Sequence, residues 1–246
     1  MTAHWGLVLG RYLGAAAMAW LAGAGQVNAE VQDKTVTIKG ARVQYEVVLP
    51  SGYDPAKAYP TVLAFPPGGQ DFAVVQGTVR RVWRAEAEKR GYVVVEPAAP
   101  NGELFFEGGD RIFPEFINKI MSDYKVLGGK LHIAGMSNGG LSSFLIASNF
   151  PQYAWSVTGF PGLLDDASEA KLNALKSLCI AMFVGELDTG WGSQMQAQAK
   201  QLRAKGFPVA FSVEKGEEHV IGTLTGAGAG RLFEQFEKAR AGNCAK

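Results

Sequence analysis

The stretch Leu131-His132-Ile133-Ala134-Gly135-Met136-Ser137-Asn138-Gly139-Gly140 decides the fold. Four residues of buried-strand character run straight into Gly-x-Ser-x-Gly, and a helical run follows from Gly140 to about Phe150. A serine at that spacing sits on a strained turn. A side chain two residues before or after it would collide with the neighbouring strand or helix, so the turn itself calls for Gly135 and Gly139. The same turn holds the Ser137 hydroxyl at a helix N-terminus, where free backbone N–H groups favour developing negative charge. The stretch therefore predicts a strand, a sharp turn bearing a nucleophile, and a helix.

Outward from it, the chain alternates two periodicities. Residues 35–39 and 43–49 read as strands of an opening hairpin around Gly40, ended by Pro50 and the turn Ser51-Gly52-Tyr53-Asp54-Pro55. Short, nearly continuous apolar runs at 61–65, 92–96, 131–134, 155–158, 180–184 and 209–213 suit strands covered on both faces. Helical patterns at 79–90, 113–124, 141–150, 167–176, 193–205 and 230–240 lie between and after them. Strand and helix taking turns, with no Pro- or Ser-rich linker, predicts one α/β domain with a mostly parallel sheet and helices on both faces. The link between the strands at 155 and 180 holds about twenty residues, enough for one helix and a turn, so no large cap domain is expected there.

Composition narrows the function class. Of 246 residues 47% are hydrophobic and 19% charged, which fits one soluble domain. Lys plus Arg (24) balances Asp plus Glu (23), leaving no basic excess for a nucleic acid backbone. Two cysteines, Cys179 and Cys244, are too few for a zinc site, and no H-x-x-x-H, C-x-x-C or clustered carboxylates suggest a metal. Neither a metal nor a cofactor is expected. The glycine-rich segment 222–230 lacks a nucleotide fingerprint and reads as a mobile loop.

Residues 1–29 carry a single charge, Arg11, then a small and apolar run, then Val27-Asn28-Ala29. This is the pattern of a signal peptide cleaved after Ala29, with the remaining domain spanning 30–246. The apolar run is shorter than the roughly 20 residues a bilayer crossing needs, so no stable anchor is expected after cleavage. A secreted or periplasmic location follows.

A serine nucleophile needs a base, and the histidine census supplies one. His4 lies in the export segment and His132 inside the strand feeding the turn, which suits a hydrogen-bonded core role. His219, in the loop after the last strand, remains. An acid must then fix its tautomer. The strand at 180–184 runs into Gly185-Glu186-Leu187-Asp188, which favours Asp188, with Glu186 as rival and Asp165 or Asp166 more distant. The order Ser137, Asp188, His219 is that of the α/β-hydrolase arrangement. An oxyanion would be held by the N–H of Asn138 and one from the turn Phe65-Pro66-Pro67-Gly68-Gly69-Gln70. Neither proline has an N–H, so Gly68 or a residue just beyond it is the expected donor. Phe105, Phe106, Phe113 and Trp191 could offer apolar surface to a substrate or belong to the core.

From about Tyr45 to His219 the chain resembles the secreted esterases of the α/β-hydrolase superfamily related to polyhydroxybutyrate depolymerases and feruloyl esterases. The resemblance rests on Tyr45-Glu46-Val47-Val48-Leu49-Pro50 with Gly52-Tyr53-Asp54, on the glycine turn with Gln70, on the Ser137 turn, and on Asp188 and His219. Where that family usually has His-Gly, this chain has Pro66-Pro67. The combined reading expects a serine hydrolase of small or polymeric carboxylic esters. A peptidase or acyltransferase on the same machinery, or a noncatalytic binding domain on the same fold, is the alternative. In this fold the Cys179 strand start and the end of the last helix share the edge opposite the serine. A Cys179–Cys244 disulfide is expected on that ground, with a buried Cys179 thiol as the alternative.

Overall fold

The computed structural model describes residues 1–3 and 30–244. Apart from its first three residues, the export segment at 1–29 lies outside the described residues. Eight strands form one sheet: β1 (Glu30–Ile38), β2 (Ala41–Leu49), β3 (Tyr59–Phe65), β4 (Val93–Pro97), β5 (Val126–Gly135), β6 (Ala154–Gly159), β7 (Cys179–Gly185) and β8 (Val209–Glu214). Their spatial order is β1-β2-β4-β3-β5-β6-β7-β8. β2 pairs antiparallel with both β1 and β4, and every later pairing is parallel. The hairpin read at Gly40 is therefore the antiparallel margin of a parallel sheet.

Alternation along each strand divides the core in two. Leu63, Phe65, Ile133, Val157 and Met182 face one side, packed by α3 (Glu115–Asp123), α4 (Asn138–Asn149), α5 (Glu169–Ala174) and α6 (Thr189–Ala204). Val62, Ala64, Ala134, Ala181 and Phe183 face the other. There they meet α1 (Phe72–Thr78), α2 (Arg84–Arg90) and α7 (Gly230–Arg240). The central strands are buried almost throughout because helices cover both faces, which is why their runs lack polar alternation, whereas β8, at the edge of the sheet, is largely half-buried with Val213 exposed. The helix read at 79–90 begins earlier, at Phe72. Asp71 caps it by accepting from the Val74 N–H, and a π-helical turn, Val79–Trp83, joins α1 to α2.

The segment read as a mobile loop, 222–230, is instead folded into two 3₁₀ turns, Gly222–Leu224 and Gly226–Ala229, with Leu224 and Ala229 buried. The Glu217 carboxylate accepts the N–H groups of Gly222 and Thr223 at 2.7 and 3.0 Å. Those bonds, the Gly222 one first, hold its pKa below the usual carboxylate value. Glycine there serves packing: a side chain at Gly228 would overlap the Thr223 carbonyl.

Three acids lie in register across β1, β2 and β4: Asp33 opposite Glu46, and Glu46 opposite Glu96. Like charges directly opposite in a sheet repel. Burial, reinforced by Asp33 and opposed by Arg80, pushes the Glu46 carboxyl up to about 7. Burial also holds Glu96 well above the carboxylate range, partly offset by the Trp83 indole and reinforced by Glu46. The folded protein thus binds these protons more tightly than the unfolded chain. The contribution of Glu46 is complete below the ordinary carboxylate value and is lost as pH rises through about 7. Glu46→Gln should raise the melting temperature at about pH 8.5 and change it little at about pH 5. An equal shift at both pH values would contradict this account.

Cys179, at the start of β7, and Cys244, beyond α7, form a disulfide closing a separation of 65 residues. It lies at the edge of the sheet where the parallel strands begin, and Ser137 follows the opposite end of β5. Among the described residues no cysteine is free. Chain-entropy reasoning gives a stabilisation of about 4 kcal/mol for a loop of this length. Replacing both cysteines by alanine should lower stability by about that amount in denaturant unfolding. Two titratable thiols in the denatured, unreduced wild-type protein would rule the bond out.

Candidate active site

Ser137 sits between β5 and α4 with φ 58° and ψ −121°, a conformation L residues rarely hold. Close packing imposes it. A Cβ at Gly135 would overlap the Gly139 carbonyl, and one at Gly139 would overlap the carbonyls of Phe65 and Pro66. The turn is thus clamped between its own helix and the end of β3. The Ser137 N–H donates to the Pro161 carbonyl at 2.8 Å, and the Leu141 N–H donates to the Ser137 carbonyl at 3.0 Å. With its backbone fixed at both ends, the side chain projects at the carboxyl ends of the parallel strands.

His219 reaches that hydroxyl from the loop after β8. Its Nε2 lies 2.8 Å from Ser137 Oγ, and its Nδ1 lies 2.6 Å from Asp188 Oδ2. The order of contacts is Ser137, His219, Asp188 across 82 and 31 residues of sequence. The Asp188 side chain is 11% exposed and that of His219 40%, so the imidazole forms part of an open floor. The Trp191 ring lies 5.4 Å from the imidazole.

The two loops meet because Gly185 leaves room. A side chain there would overlap the carbonyls of Glu217 and Glu218, immediately before His219. Two further bonds hold the loops together, from the Glu186 N–H to the Glu214 carbonyl and from the Leu187 N–H to the Glu217 carbonyl, each 2.9 Å. The rival acids are occupied elsewhere. Glu186 accepts the Gly216 N–H at 2.9 Å, Asp166 pairs with Lys171 at 2.9 Å, and Asp165 is exposed on the link after β6.

The two expected oxyanion donors are neighbours. Asn138 opens α4, so its N–H belongs to the first turn and has no acceptor within the helix. Its side-chain amide donates to the Gly68 carbonyl at 2.9 Å. Gly68 is exposed and has φ +60°, in the left-handed region open to glycine. Of the four aromatics weighed for a substrate surface, Phe105 and Phe113 pack against Phe65 in the core, and Phe106 is half-buried. Trp191 alone of the four touches His219.

His132 is fully buried with Nδ1 2.8 Å from Ser156 Oγ, and burial, with the Arg240 charge, pushes its pKa down to about 3. It is a neutral core histidine. Sequence reading missed Pro161, whose carbonyl fixes the Ser137 backbone. The signal was the turn Gly159-Phe160-Pro161-Gly162 after the strand beside β5, where Gly140 and Gly162 allow backbone to pack on backbone. Among the described residues no cluster of His, Cys, Asp and Glu could hold a metal.

Gly185→Ala should therefore force the His219 loop outward and lower stability by about 1–3 kcal/mol through overpacking. The denaturant midpoint reads this directly, and an unchanged midpoint would show that the loops do not depend on that contact.

No family model matches the chain, and no curated protein matches it in sequence. Solved structures do match in shape. A thermostable esterase superposes with TM-score 0.68 at 17% identity, covering 86% of this chain, which spans only 62% of that protein's length. A feruloyl esterase module from Clostridium thermocellum, complexed with sinapinate, gives 0.66 at 15% identity over 81% of this chain and 87% of its own. An S-formylglutathione hydrolase from Agrobacterium tumefaciens gives 0.66 at 14% identity over 87% and 97%. Together with the strand order and the serine turn after β5, these likenesses establish that the chain has the α/β-hydrolase fold.

Proposed function

We propose that the protein is a serine hydrolase of carboxylic esters that works through an acyl-enzyme. The observation that carries this reading is His219 standing between Ser137 and Asp188 at 2.8 and 2.6 Å. Ser137 Oγ attacks the ester carbonyl while its proton passes to His219 Nε2, and Asp188 stabilises the imidazolium and keeps the ring oriented. The carbonyl oxygen becomes an oxyanion held by the N–H groups of Gly68 and Asn138. The C–O bond to the alcohol then breaks, and His219 returns the proton to the departing oxygen. Water repeats the sequence on the acyl-enzyme, releasing the acid and restoring Ser137.

Several features favour an ester of exposed or extended shape. The link from β6 to β7 holds only the short helix α5, and the His219 side chain remains 40% exposed. Leu187 and Val220, adjacent in sequence to Asp188 and His219, are exposed, and Trp191 packs beside His219, which leaves apolar surface on the loops that carry the acid and the base. The esterase neighbours support an ester over a peptide bond, and the substrate can be a small molecule or a polymer. Export through a signal peptide at residues 1–29 is part of the same proposal. The Cys179–Cys244 disulfide supports it, because such bonds persist in oxidising compartments. Among the described residues no helix is long and apolar enough to cross a membrane.

Ser137→Ala and His219→Ala should each lower kcat on p-nitrophenyl esters by about 10⁴ to 10⁶, and the double variant by little more, because the residues act as a unit. Asp188→Asn should cost less. A fluorophosphonate should label the wild type and leave Ser137→Ala unlabelled. Full ester turnover by Ser137→Ala would defeat the mechanism, and a wild type that resists the label would point to a binding domain. Mass spectrometry of the exported protein should find Glu30 at its N-terminus.

A further inference from the structure

The turn expected to hold the oxyanion has a backbone bond of its own on the far side of Gly68, from the Gln70 N–H to the Pro67 carbonyl at 3.2 Å, and none from the residues that lead into it. Pro66 and Pro67 have no N–H, so the backbone on the approach to Gly68 cannot be tied to its surroundings by its own donors. The tie comes from a side chain. Gln70 is fully buried, and its Nε2 donates to the Pro66 carbonyl at 3.1 Å and to Ser142 Oγ at 3.0 Å. Ser142 Oγ in turn donates to the Asn138 carbonyl at 2.8 Å. Asn138 closes the circuit by donating from its amide to the Gly68 carbonyl at 2.9 Å. One side chain thus bonds to the turn bearing Gly68 and, through one hydroxyl, to the residue bearing the other expected donor.

Three further observations set Gln70 apart from an ordinary buried amide. Both polar atoms of its amide are bonded: Nε2 donates to two acceptors, and Oε1 accepts the Phe105 N–H at 3.0 Å. Its own carbonyl accepts the Ala99 N–H at 2.8 Å, so the chain leaving β4 is tied to the same residue. Its backbone also holds φ +55°, where a glycine would be unstrained, and Gly68 and Gly69 stand immediately before it. The position keeps a strained glutamine, whose side chain supplies the contacts just described.

We infer that Gln70 is the positioning residue of the oxyanion site, acting through the Pro66 peptide and through Ser142 to hold the N–H groups of Gly68 and Asn138 in register. The inference rests on the hydrolase reading above. Oxyanion donors act by geometry fixed before the reaction, so a displacement of the turn weakens transition-state binding more than substrate binding.

The test is steady-state kinetics on a p-nitrophenyl ester, paired with inhibition by a trifluoromethyl ketone, whose adduct places the same charge on the same oxygen. Gln70→Met keeps length and loses every polar contact of the amide. Its kcat should fall by about 10²-fold with KM nearly unchanged, the size expected of a displacement of about 1 Å. Ketone affinity should fall by the same factor as kcat/KM. Ser142→Ala removes only the link to Asn138 and should show the same signature at about tenfold. It decides the matter alone if Gln70→Met does not fold. A loss carried in KM, or a lowered kcat with unchanged ketone affinity, would overturn the inference. Ser137→Ala separates the two readings. Turnover that needs Ser137 but is unchanged in Gln70→Met and Ser142→Ala overturns the positioning role alone. Turnover that survives Ser137→Ala, or is absent from the wild type, overturns both.

Discussion

At Gly139 the backbone of α4 lies directly against the last carbonyls of β3, with no space for a side chain between them. That contact fixes more than a helix position. Because β3 and β5 are hydrogen-bonded neighbours, pressing α4 onto β3 sets the angle at which the chain leaves β5, and so the strained φ of Ser137. It also brings the start of α4 beside the turn after β3, close enough for Asn138 to bond to Gly68. Ser137 and both expected oxyanion donors therefore share a single packing constraint. The strain at Ser137 is held by the surrounding core, in which Phe65, Ile133 and Phe144 are all fully buried.

The imidazole arrives by a different route. β7 and β8 are parallel neighbours at one side of the sheet, and the loops leaving their carboxyl ends are knit together at Gly185 and through the backbone bonds of Glu186 and Leu187. Glu217 then caps the following 3₁₀ turn, so the chain on either side of His219 is anchored. Each part of the site comes from a strand end, and the sheet provides the common frame. Contacts spanning 82 residues of sequence become short because the loops bearing them leave the same carboxyl edge of one sheet, the loop after β8 reaching back past β7 and β6 to the end of β5.

Two sets of buried polar side chains outside the triad contrast. Gln70 and Gln198 bond through both polar atoms of the amide, Gln198 by accepting the Leu164 N–H and donating to the Leu164 carbonyl. Such amides tie irregular backbone that secondary structure leaves unpaired. The neighbours Glu46 and Glu96 are different, since burial favours the protonated form of each carboxyl. The first set rigidifies loops around the active site. The second makes stability at the antiparallel margin of the sheet depend on pH.

Much of this was legible in the chain itself. Buried strands declare themselves by unbroken apolar runs and a serine turn by its two glycines, local properties written in adjacent residues, and a census of three histidines leaves His219 as the candidate base. Element ends were less legible, since α1 begins at Phe72 by virtue of the Asp71 cap and joins α2 through a π-turn. The sequence could rank Asp188 above Glu186 but gave no distance, because both stand in one short turn and only its folding aims one at His219 and the other at Gly216. Nor could it show that the glycine-rich segment after His219 is packed, or that Gln70 and Pro161 hold the site's backbone. Those facts depend on partners tens of residues away, whose approach is set by helix packing on the sheet. Composition and spacing determine which chemistry the chain can attempt, and the tertiary structure decides which groups meet, because hydrogen bonds and close contacts act over about 3 Å while sequence order does not measure distance in space.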